Sequence, residues 1–254
     1  MSLFFENNLE NKVIYYSNNF FNSISKSKKQ IKKLKKQLNQ DKRIIIFKNV
    51  VSKKIIADIV KNRNIILKNK PLFFKTFMGS NDLYIFNKKN KKSYVKGYFK
   101  KIELYPWNKK NKKTYKSLNK IIKVKCIMDN LDFHKSRNFY DKRKFVKLQL
   151  NHYPFRKGFL NKHIDGIHKK IIVLHIGMNK KTNRNTKGGL IFHYNKKKIN
   201  VDKYLGLGDI AIFNPIIPHE VTPSDMKNGR WSLLLSSGYF SKLKGTKLQS
   251  KQIN

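Results

Sequence analysis

The sequence is short of cysteine, of acidic residues and of long apolar runs. Its 254 residues include one cysteine, Cys126, which excludes an internal disulfide and a zinc site made of several cysteines. No apolar run reaches the roughly 18 residues of a membrane span, so no transmembrane helix is predicted. The segment Met1–Glu10 lacks the basic stretch followed by an apolar run that typifies a secretory signal. We therefore expect a cytoplasmic protein that has no membrane partner.

Positive charge dominates the composition. The 58 Lys and Arg residues against 14 Asp and Glu give a formal net charge of +44, which first suggests a nucleic-acid ligand. Only seven of these residues are Arg, the residue preferred for phosphate and base contacts, and the 51 Lys are spread along the chain. Lys, Ile and the 29 Asn also share AT-rich codons, so codon bias can produce this composition. We expect no specific nucleic-acid partner and keep a nucleic-acid-directed role as an alternative.

The apolar pattern of residues 1–143 predicts helices and strands that support a later domain. Residues 26–40 carry three apolar residues on one face of a 3.6-residue period, which predicts an amphipathic helix. Residues 43–47 form a short apolar run typical of a strand, and Ser52 is a good N-cap for a following helix. The pattern leaves the order of elements over residues 64–140 open.

The second part of the chain, residues 144–240, has a different sequence pattern. Short apolar runs follow one another closely and are divided by Gly, Pro, Asn and Asp, which favours a β-sandwich or barrel over βαβ units. A basic tail of residues 241–254 follows. The predicted strands are Phe145–Tyr153, Phe159–Asp165, Ile171–Met178, Leu190–Tyr194, Ile210–Phe213, His219–Thr222 and Arg230–Ser236.

Three residues of the β region could hold a metal ion. In a strand, residues i and i+2 point to the same face, so His163 and Asp165 would present an imidazole and a carboxylate side by side. His219, 56 residues later, would complete a set of two histidines and one carboxylate. This set leaves coordination positions open and is typical of non-haem Fe(II) oxygenases, while zinc with three protein ligands is the competing interpretation.

An arginine follows the second histidine at a short distance. Arg230 lies 11 residues after His219, and Ser232 is predicted on the same strand face. A guanidinium offers the bidentate geometry that binds the far carboxylate of a dicarboxylic co-substrate, and the hydroxyl can add a second hydrogen bond.

With these motifs in order, the sequence resembles the Fe(II)- and 2-oxoglutarate-dependent dioxygenases, in particular their prolyl-4-hydroxylase-like branch. The resemblance covers residues 144–239. The matching motifs are Tyr153-Pro154, His163-Ile-Asp165, Gly188-Gly189-Leu, Gly208-Asp209-Ile, Pro218-His219-Glu-Val and Arg230-Trp-Ser232.

The resemblance implies a fold, cofactors and residue roles. It implies a mainly β (α+β) protein with a double-stranded β-helix, or jelly-roll, core and an N-terminal helical and strand extension. It also implies Fe(II), 2-oxoglutarate and O₂, with ascorbate as an optional stimulant. The implied metal ligands are His163, Asp165 and His219. The residues that would bind 2-oxoglutarate are Arg230, Ser232 and Tyr153.

Two departures from the family pattern affect the co-substrate pocket and the reaction. The tyrosine that shares the co-substrate's carboxylate in oxygen-sensing prolyl hydroxylases is replaced here by Gly177, and Ser232 is a candidate to compensate. Ser236 stands where nucleic-acid demethylases of the superfamily carry a second arginine, which argues against base repair. The carboxylate of Asp165 is retained, which favours hydroxylation or desaturation over halogenation.

The sequence leaves the substrate open among small molecules, natural products and peptidyl side chains. Period-2 alternation places Gln149 and Asn151 on the same strand face as Tyr153, so we expect them to contact a polar substrate. If the strand is an edge, this face would meet solvent instead. A catalytically inactive jelly-roll binding module is the non-enzymatic alternative, and the oligomeric state is not indicated.

Overall fold

The structure is a computed structural model. It describes residues 12–60, 82–86, 95–106, 111–133, 144–165, 173–177, 187–195 and 197–239. The predicted tail at 241–254 lies outside these residues. Within the described part of the chain, no helix is both long enough and apolar enough to cross a membrane.

The described elements are five helices, twelve strands and a short 3₁₀ turn at Val201–Lys203. The helices are α1 (Asn18–Ser25), α2 (Lys28–Asp41), α3 (Lys53–Val60), α4 (Lys112–Ser117) and α5 (Asn119–Met128). The strands are β1 (Val13–Tyr16), β2 (Ile44–Phe47), β3 (Asp82–Phe86), β4 (Gly97–Leu104), β5 (Lys144–Tyr153), β6 (Phe159–His163), β7 (Val173–Gly177), β8 (Gly189–Tyr194), β9 (Lys197–Asn200), β10 (Ile210–Phe213), β11 (His219–Thr222) and β12 (Arg230–Tyr239).

The strands form one curled sheet in the order β1-β2-β10-β7-β12-β5-β4-β6-β11-β8-β9, with β3 paired to β4. All pairs are antiparallel except β1 with β2. Strand β4 joins the two halves of the sheet, because Lys100 to Leu104 pair with β5 while Gly97 and Tyr98 pair with β6. The predicted mainly β architecture with flanking helices is confirmed.

Alternating side chains on the strands separate two apolar clusters. Ile44 and Ile46 of β2 face the inside of the barrel, where they pack with Phe192 and Phe213. Their neighbours on β2 face outward and join leucines of β5 and β12 under the helices. Strand β2 lies in the half of the barrel that is covered by helices and is apolar on both faces, so its four residues are all buried.

The elements predicted before β5 are confirmed. Helix α2 covers all but the first two residues of the predicted amphipathic segment 26–40, and its three apolar residues Ile31, Leu34 and Leu38 are buried. Strand β2 coincides with the predicted apolar run, and the Ser52 hydroxyl accepts a hydrogen bond from the Ile55 N–H at the start of α3.

The structure adds elements that the sequence analysis did not identify. Strands β3 and β4 and helices α4 and α5 occupy the segment whose order was left open. Strands β2 and β4, both before residue 144, pair directly with β10, β5 and β6. The N-terminal part of the chain therefore supplies strands to the curled sheet in addition to covering helices.

Candidate active site

Three potential metal ligands converge at the ends of β6 and β11. One donor atom from each of His163, Asp165 and His219 lies within 4.8 Å of the others. The two carboxylate oxygens of Asp165 lie 3.4 Å from His163 Nε2 and 3.3 Å from His219 Nε2. Ligands about 2.1 Å from a common ion, at right angles to each other, would be about 3 Å apart, so these separations fit a metal site.

Two antiparallel strands create this convergence. His163 and His219 are paired residues of β6 and β11, and their ring centroids are 4.4 Å apart. Asp165 was predicted within the same strand as His163, but β6 ends at His163. The Asp165 N–H instead donates to the carbonyl oxygen of Pro215, at 2.9 Å, which holds the carboxylate near both histidines.

Backbone carbonyls orient both imidazoles. His163 Nδ1 lies 2.7 Å from the carbonyl oxygen of Asn161, and His219 Nδ1 lies 2.8 Å from that of Ile217. A carbonyl oxygen only accepts, so Nδ1 is the protonated nitrogen in each contact and Nε2 faces Asp165. This arrangement is the one in which a metal-binding histidine presents a lone pair on Nε2.

The electrostatics of the trio favour an ionised carboxylate. Burial alone would raise the pKa of Asp165, but hydrogen bonds and charge from the two histidines outweigh burial and hold that pKa well below its usual range. Burial likewise would lower the pKa of His163, and Asp165 outweighs burial to raise it. A divalent cation would take the place of this positive charge, which is why the donor set suits a metal ion.

The trio opens into a cavity of about 340 Å³. All eight residues predicted for the site from the sequence line this cavity. They are His163, Asp165, His219, Arg230, Ser232, Tyr153, Gln149 and Asn151.

Three adjacent strands form one wall of the cavity. In the register of β12 and β5, Arg230 lies opposite Tyr153, and Ser232 lies opposite Asn151. In the register of β4 and β5, Lys101 lies on the other side of Asn151, and it also lines the cavity. Lys101, Gln149, Asn151 and Ser232 together are called the polar wall below.

Tyr153 stands between the arginine and an aromatic neighbour. Its ring stacks on Phe99 with centroids 4.8 Å apart, and Arg230 Cζ lies 5.5 Å from its ring centroid. Burial raises the pKa of the Tyr153 hydroxyl well above its usual value, with Arg230 opposing the shift. The hydroxyl therefore stays protonated at neutral pH and is able to donate a hydrogen bond.

The buried carboxylate of Glu103 binds two residues of the polar wall, Lys101 and Gln149. Glu103 Oε1 accepts hydrogen bonds from Lys101 at 2.9 Å, Lys147 at 2.8 Å and Gln149 at 2.9 Å, and Oε2 accepts from the Tyr105 hydroxyl at 2.9 Å. The amide nitrogen of Gln149 is thus engaged within the protein. By contrast, Asn151 is 6% exposed and its Oδ1 has no hydrogen-bond partner among the described residues.

Arg230 already has a carboxylate partner that the sequence analysis missed. Its Nε lies 2.5 Å from Asp202 Oδ2 and its Nη2 lies 3.0 Å from Asp202 Oδ1. Burial would lower the pKa of Arg230, but the charge of Asp202 outweighs burial and raises it. Asp202 lies in the 3₁₀ turn after β9, and no spacing rule relates that position to β12.

The neighbouring glycine motif makes room for Asp202. The Leu190 N–H donates to Asp202 Oδ2 at 3.1 Å. A Cβ on Gly189 would lie 2.5 Å from the same oxygen, and Gly189 has φ +119°, which side-chain-bearing residues rarely adopt. The Gly188-Gly189 motif is therefore part of the structure that holds Asp202 against Arg230.

Comparison with known proteins identifies the fold. No protein-family model matches the sequence, and no curated protein matches it. A prolyl-4-hydroxylase structure from Pseudomonas putida matches 82% of this chain and 97% of its own, with a TM-score of 0.52 and 12% identity. This chain has the jelly-roll fold of that hydroxylase.

Two further solved structures are similar at lower TM-scores. A prolyl hydroxylase from Trichoplax adhaerens, in complex with a hypoxia inducible factor peptide, matches 88% of this chain and 95% of its own, with a TM-score of 0.47 and 14% identity. A non-heme alpha ketoglutarate dependent epimerase from nogalamycin biosynthesis matches 82% of each chain, with a TM-score of 0.49 and 9% identity.

Proposed function

We propose that this protein is an Fe(II)- and 2-oxoglutarate-dependent dioxygenase that hydroxylates an unactivated C–H bond. The observation that carries the proposal is the convergence of two oriented Nε2 atoms and one carboxylate at a cavity that also contains Arg230. When bound, iron and 2-oxoglutarate would supply the oxidation: 2-oxoglutarate, O₂ and R–H give succinate, CO₂ and R–OH.

The chain's own residues would hold and orient these groups. His163, Asp165 and His219 are the proposed metal ligands, and three protein ligands leave the remaining positions for exogenous groups. Arg230 is the proposed anchor for the 5-carboxylate of 2-oxoglutarate. Ser232, which is 1% exposed and next to Arg230 on the same strand face, would donate a hydrogen bond to that carboxylate.

The Tyr153 hydroxyl would donate a hydrogen bond to the co-substrate. The raised pKa keeps the hydroxyl neutral, so it does not repel a dianion. Packing against Phe99 and Arg230 limits the movement of the ring. Tyr153 and Arg230 are only 4% and 2% exposed, so solvent has little access to this end of the cavity.

The polar wall supports a polar substrate that carries nitrogen or oxygen. Asn151 Oδ1 has no partner among the described residues, and a buried acceptor of this kind is stabilised by an N–H or O–H of a bound molecule. Gln149 would act by holding the wall, because its amide nitrogen donates to Glu103. The substrate is proposed to be a small molecule, a natural-product intermediate or a peptidyl side chain.

Succinate release tests the reaction class. The full chain is incubated with Fe(II) and 2-oxoglutarate across a panel of amino acids, peptides and oligonucleotides, with and without ascorbate. We expect release that depends on one substrate class and is lost in each of His163→Ala, Asp165→Ala and His219→Ala. Folded wild-type protein that holds neither iron nor 2-oxoglutarate would support the inactive binding module instead. A preference for bound zinc with hydrolytic activity would support the zinc alternative.

Two further sets of variants separate the co-substrate from the substrate. Arg230→Lys should raise the KM for 2-oxoglutarate by the equivalent of about 1.5–3 kcal/mol, and Ser232→Ala by about 1 kcal/mol. Asn151→Leu and Gln149→Leu should impair turnover of the true substrate while 2-oxoglutarate affinity stays close to wild type. Wild-type kinetics in both leucine variants would show that Gln149 and Asn151 do not contribute to substrate recognition.

A further inference from the structure

The buried ion pair between Arg230 and Asp202 makes the proposed co-substrate anchor electrically neutral. Arg230 is 2% exposed and Asp202 is 7% exposed, and the carboxylate takes both donors on the Nε–Nη2 edge of the guanidinium. A guanidinium binds a carboxylate in a bidentate way either through this edge or through its two terminal nitrogens. An incoming carboxylate must therefore use another edge or displace Asp202.

Asp202 is fixed independently of any ligand. Its backbone N–H donates to Asn200 Oδ1 at 3.1 Å, and the Asn200 amide in turn donates to the Gly188 carbonyl at 2.8 Å. The Leu190 N–H holds Oδ2 at 3.1 Å. These contacts come from β8 and from the end of β9, so the carboxylate is held next to Arg230 by its own surroundings.

We infer that Asp202 is an internal counter-ion that stabilises Arg230 in the absence of co-substrate and weakens the binding of 2-oxoglutarate. This inference rests on the proposed function. A buried guanidinium without a counter-ion is strongly destabilising, and Asp202 removes that cost. The same negative charge then repels the 5-carboxylate that shares the guanidinium. Asp202 thus acts through Arg230 and is a positioning residue.

The size of the repulsion sets the expected effect. Two carboxylates on one guanidinium would be about 5 Å apart, and at an effective dielectric of about 20 their repulsion corresponds to roughly a few hundred-fold in affinity. Rearrangement of the Arg230–Asp202 pair when 2-oxoglutarate binds reduces this repulsion. We therefore expect Asp202 to weaken 2-oxoglutarate binding at least ten-fold.

Asp202→Asn tests the inference by direct binding. The variant keeps the shape of the side chain and removes its charge. The dissociation constant of 2-oxoglutarate is measured calorimetrically on full-length protein with Fe(II) under nitrogen, where the lack of O₂ prevents turnover. We expect the constant to fall at least ten-fold. An unchanged or raised constant would overturn the inference, because a purely structural role for Asp202 predicts weaker binding.

Asp209→Asn is the matched control. Asp209 is also buried, at 1% exposure, pairs with Lys48 and accepts N–H bonds from Gly206 and Asn49. Its cationic partner is Lys48, whereas that of Asp202 is Arg230. This variant should be destabilised without tighter 2-oxoglutarate binding. Wild-type protein that binds no 2-oxoglutarate at all would overturn the proposed function together with the inference, whereas equal binding in wild type and Asp202→Asn overturns the inference alone.

Two other measurements keep the inference testable if Asp202→Asn is unstable. Without ligand, this variant should unfold at a lower temperature than wild type, and saturating 2-oxoglutarate should raise its Tm by more than it raises that of wild type. In wild-type protein, 2-oxoglutarate should bind less than ten-fold more tightly than its 5-methyl ester, whose far end is neutral. A preference of a hundred-fold or more would show an uncompensated cation at the anchor and overturn the inference.

Discussion

Replacing Glu103 with glutamine should remove a large, pH-dependent part of the stability. Glu103 is 3% exposed and accepts hydrogen bonds from two lysines, Lys101 and Lys147. Burial alone would raise its pKa, but the two ammonium groups outweigh burial and lower the pKa from 4.5 to about 2. At about 1.4 kcal/mol per pKa unit, this shift corresponds to about 3 kcal/mol of stability.

The sign of the pH dependence follows from the lowered pKa. The folded state favours the ionised carboxylate, so this stability is fully present above the unfolded-state pKa near 4.5 and is lost as the pH falls towards about 2. About 2 kcal/mol of it should disappear between pH 6 and pH 3. All other carboxylates titrate in wild type and variant alike, so the difference between the two proteins isolates Glu103.

Urea unfolding at pH 6, 5, 4 and 3 measures this difference. The gap in unfolding free energy between wild type and Glu103→Gln should be about 3 kcal/mol at pH 6 and about 1 kcal/mol at pH 3. Lys147→Met, which keeps the carboxylate and removes one ammonium, should show an intermediate pH dependence. Parallel curves for wild type and Glu103→Gln over the whole range would refute the assignment of the stability to this ion cluster.

Three further predictions concern other buried groups and the surface charge. Gly189→Ala should lower the unfolding free energy by about 1–3 kcal/mol, measured by urea unfolding, because the new Cβ would meet Asp202 and the backbone has a positive φ. Lys125→Met should cost about 3–5 kcal/mol in the same assay, because Asp129 would lose its buried partner, and adding Asp129→Asn should recover part of the loss. Binding to DNA or RNA should be weak, independent of sequence and steeply salt-dependent, and sub-micromolar binding to one sequence at physiological salt would contradict this.

Local periodicity was enough to predict the strands of the jelly-roll and the face of α2. The strands from residue 144 onward are short, apolar and bounded by turn residues, and each predicted strand overlaps an observed one. The convergence of His163, Asp165 and His219 could also be predicted, because the later motifs around His219 and Arg230 resemble those of the dioxygenase family in order and spacing. These signals are local in sequence, and the jelly-roll pairs β6 with β11 to bring them together.

The position of β4 inside the protein could not be predicted, because its alternation is that of an ordinary half-buried strand. Ile102 and Leu104 pack outside the barrel under the helices, while Lys101 and Glu103 turn towards the cavity side. A reader of the sequence would assign the charged face to solvent. That assignment fails here because the charged face of β4 turns towards the cavity, where Lys101 and Lys147 share the Glu103 carboxylate.

The buried ion pairs also limit how far codon bias explains the lysine content. A lysine that drifts onto the surface has almost no effect on stability, but a buried ammonium is tolerated only with a carboxylate partner. Lys125 is fully buried and is paired with Asp129, and Lys101 and Lys147 share Glu103. The chain has only 14 acidic residues, so few carboxylates can pair with its lysines. Lysines in these clusters therefore have structural roles that are not apparent from the overall charge of +44. Their replacement should lower the stability of the fold or alter the cavity wall.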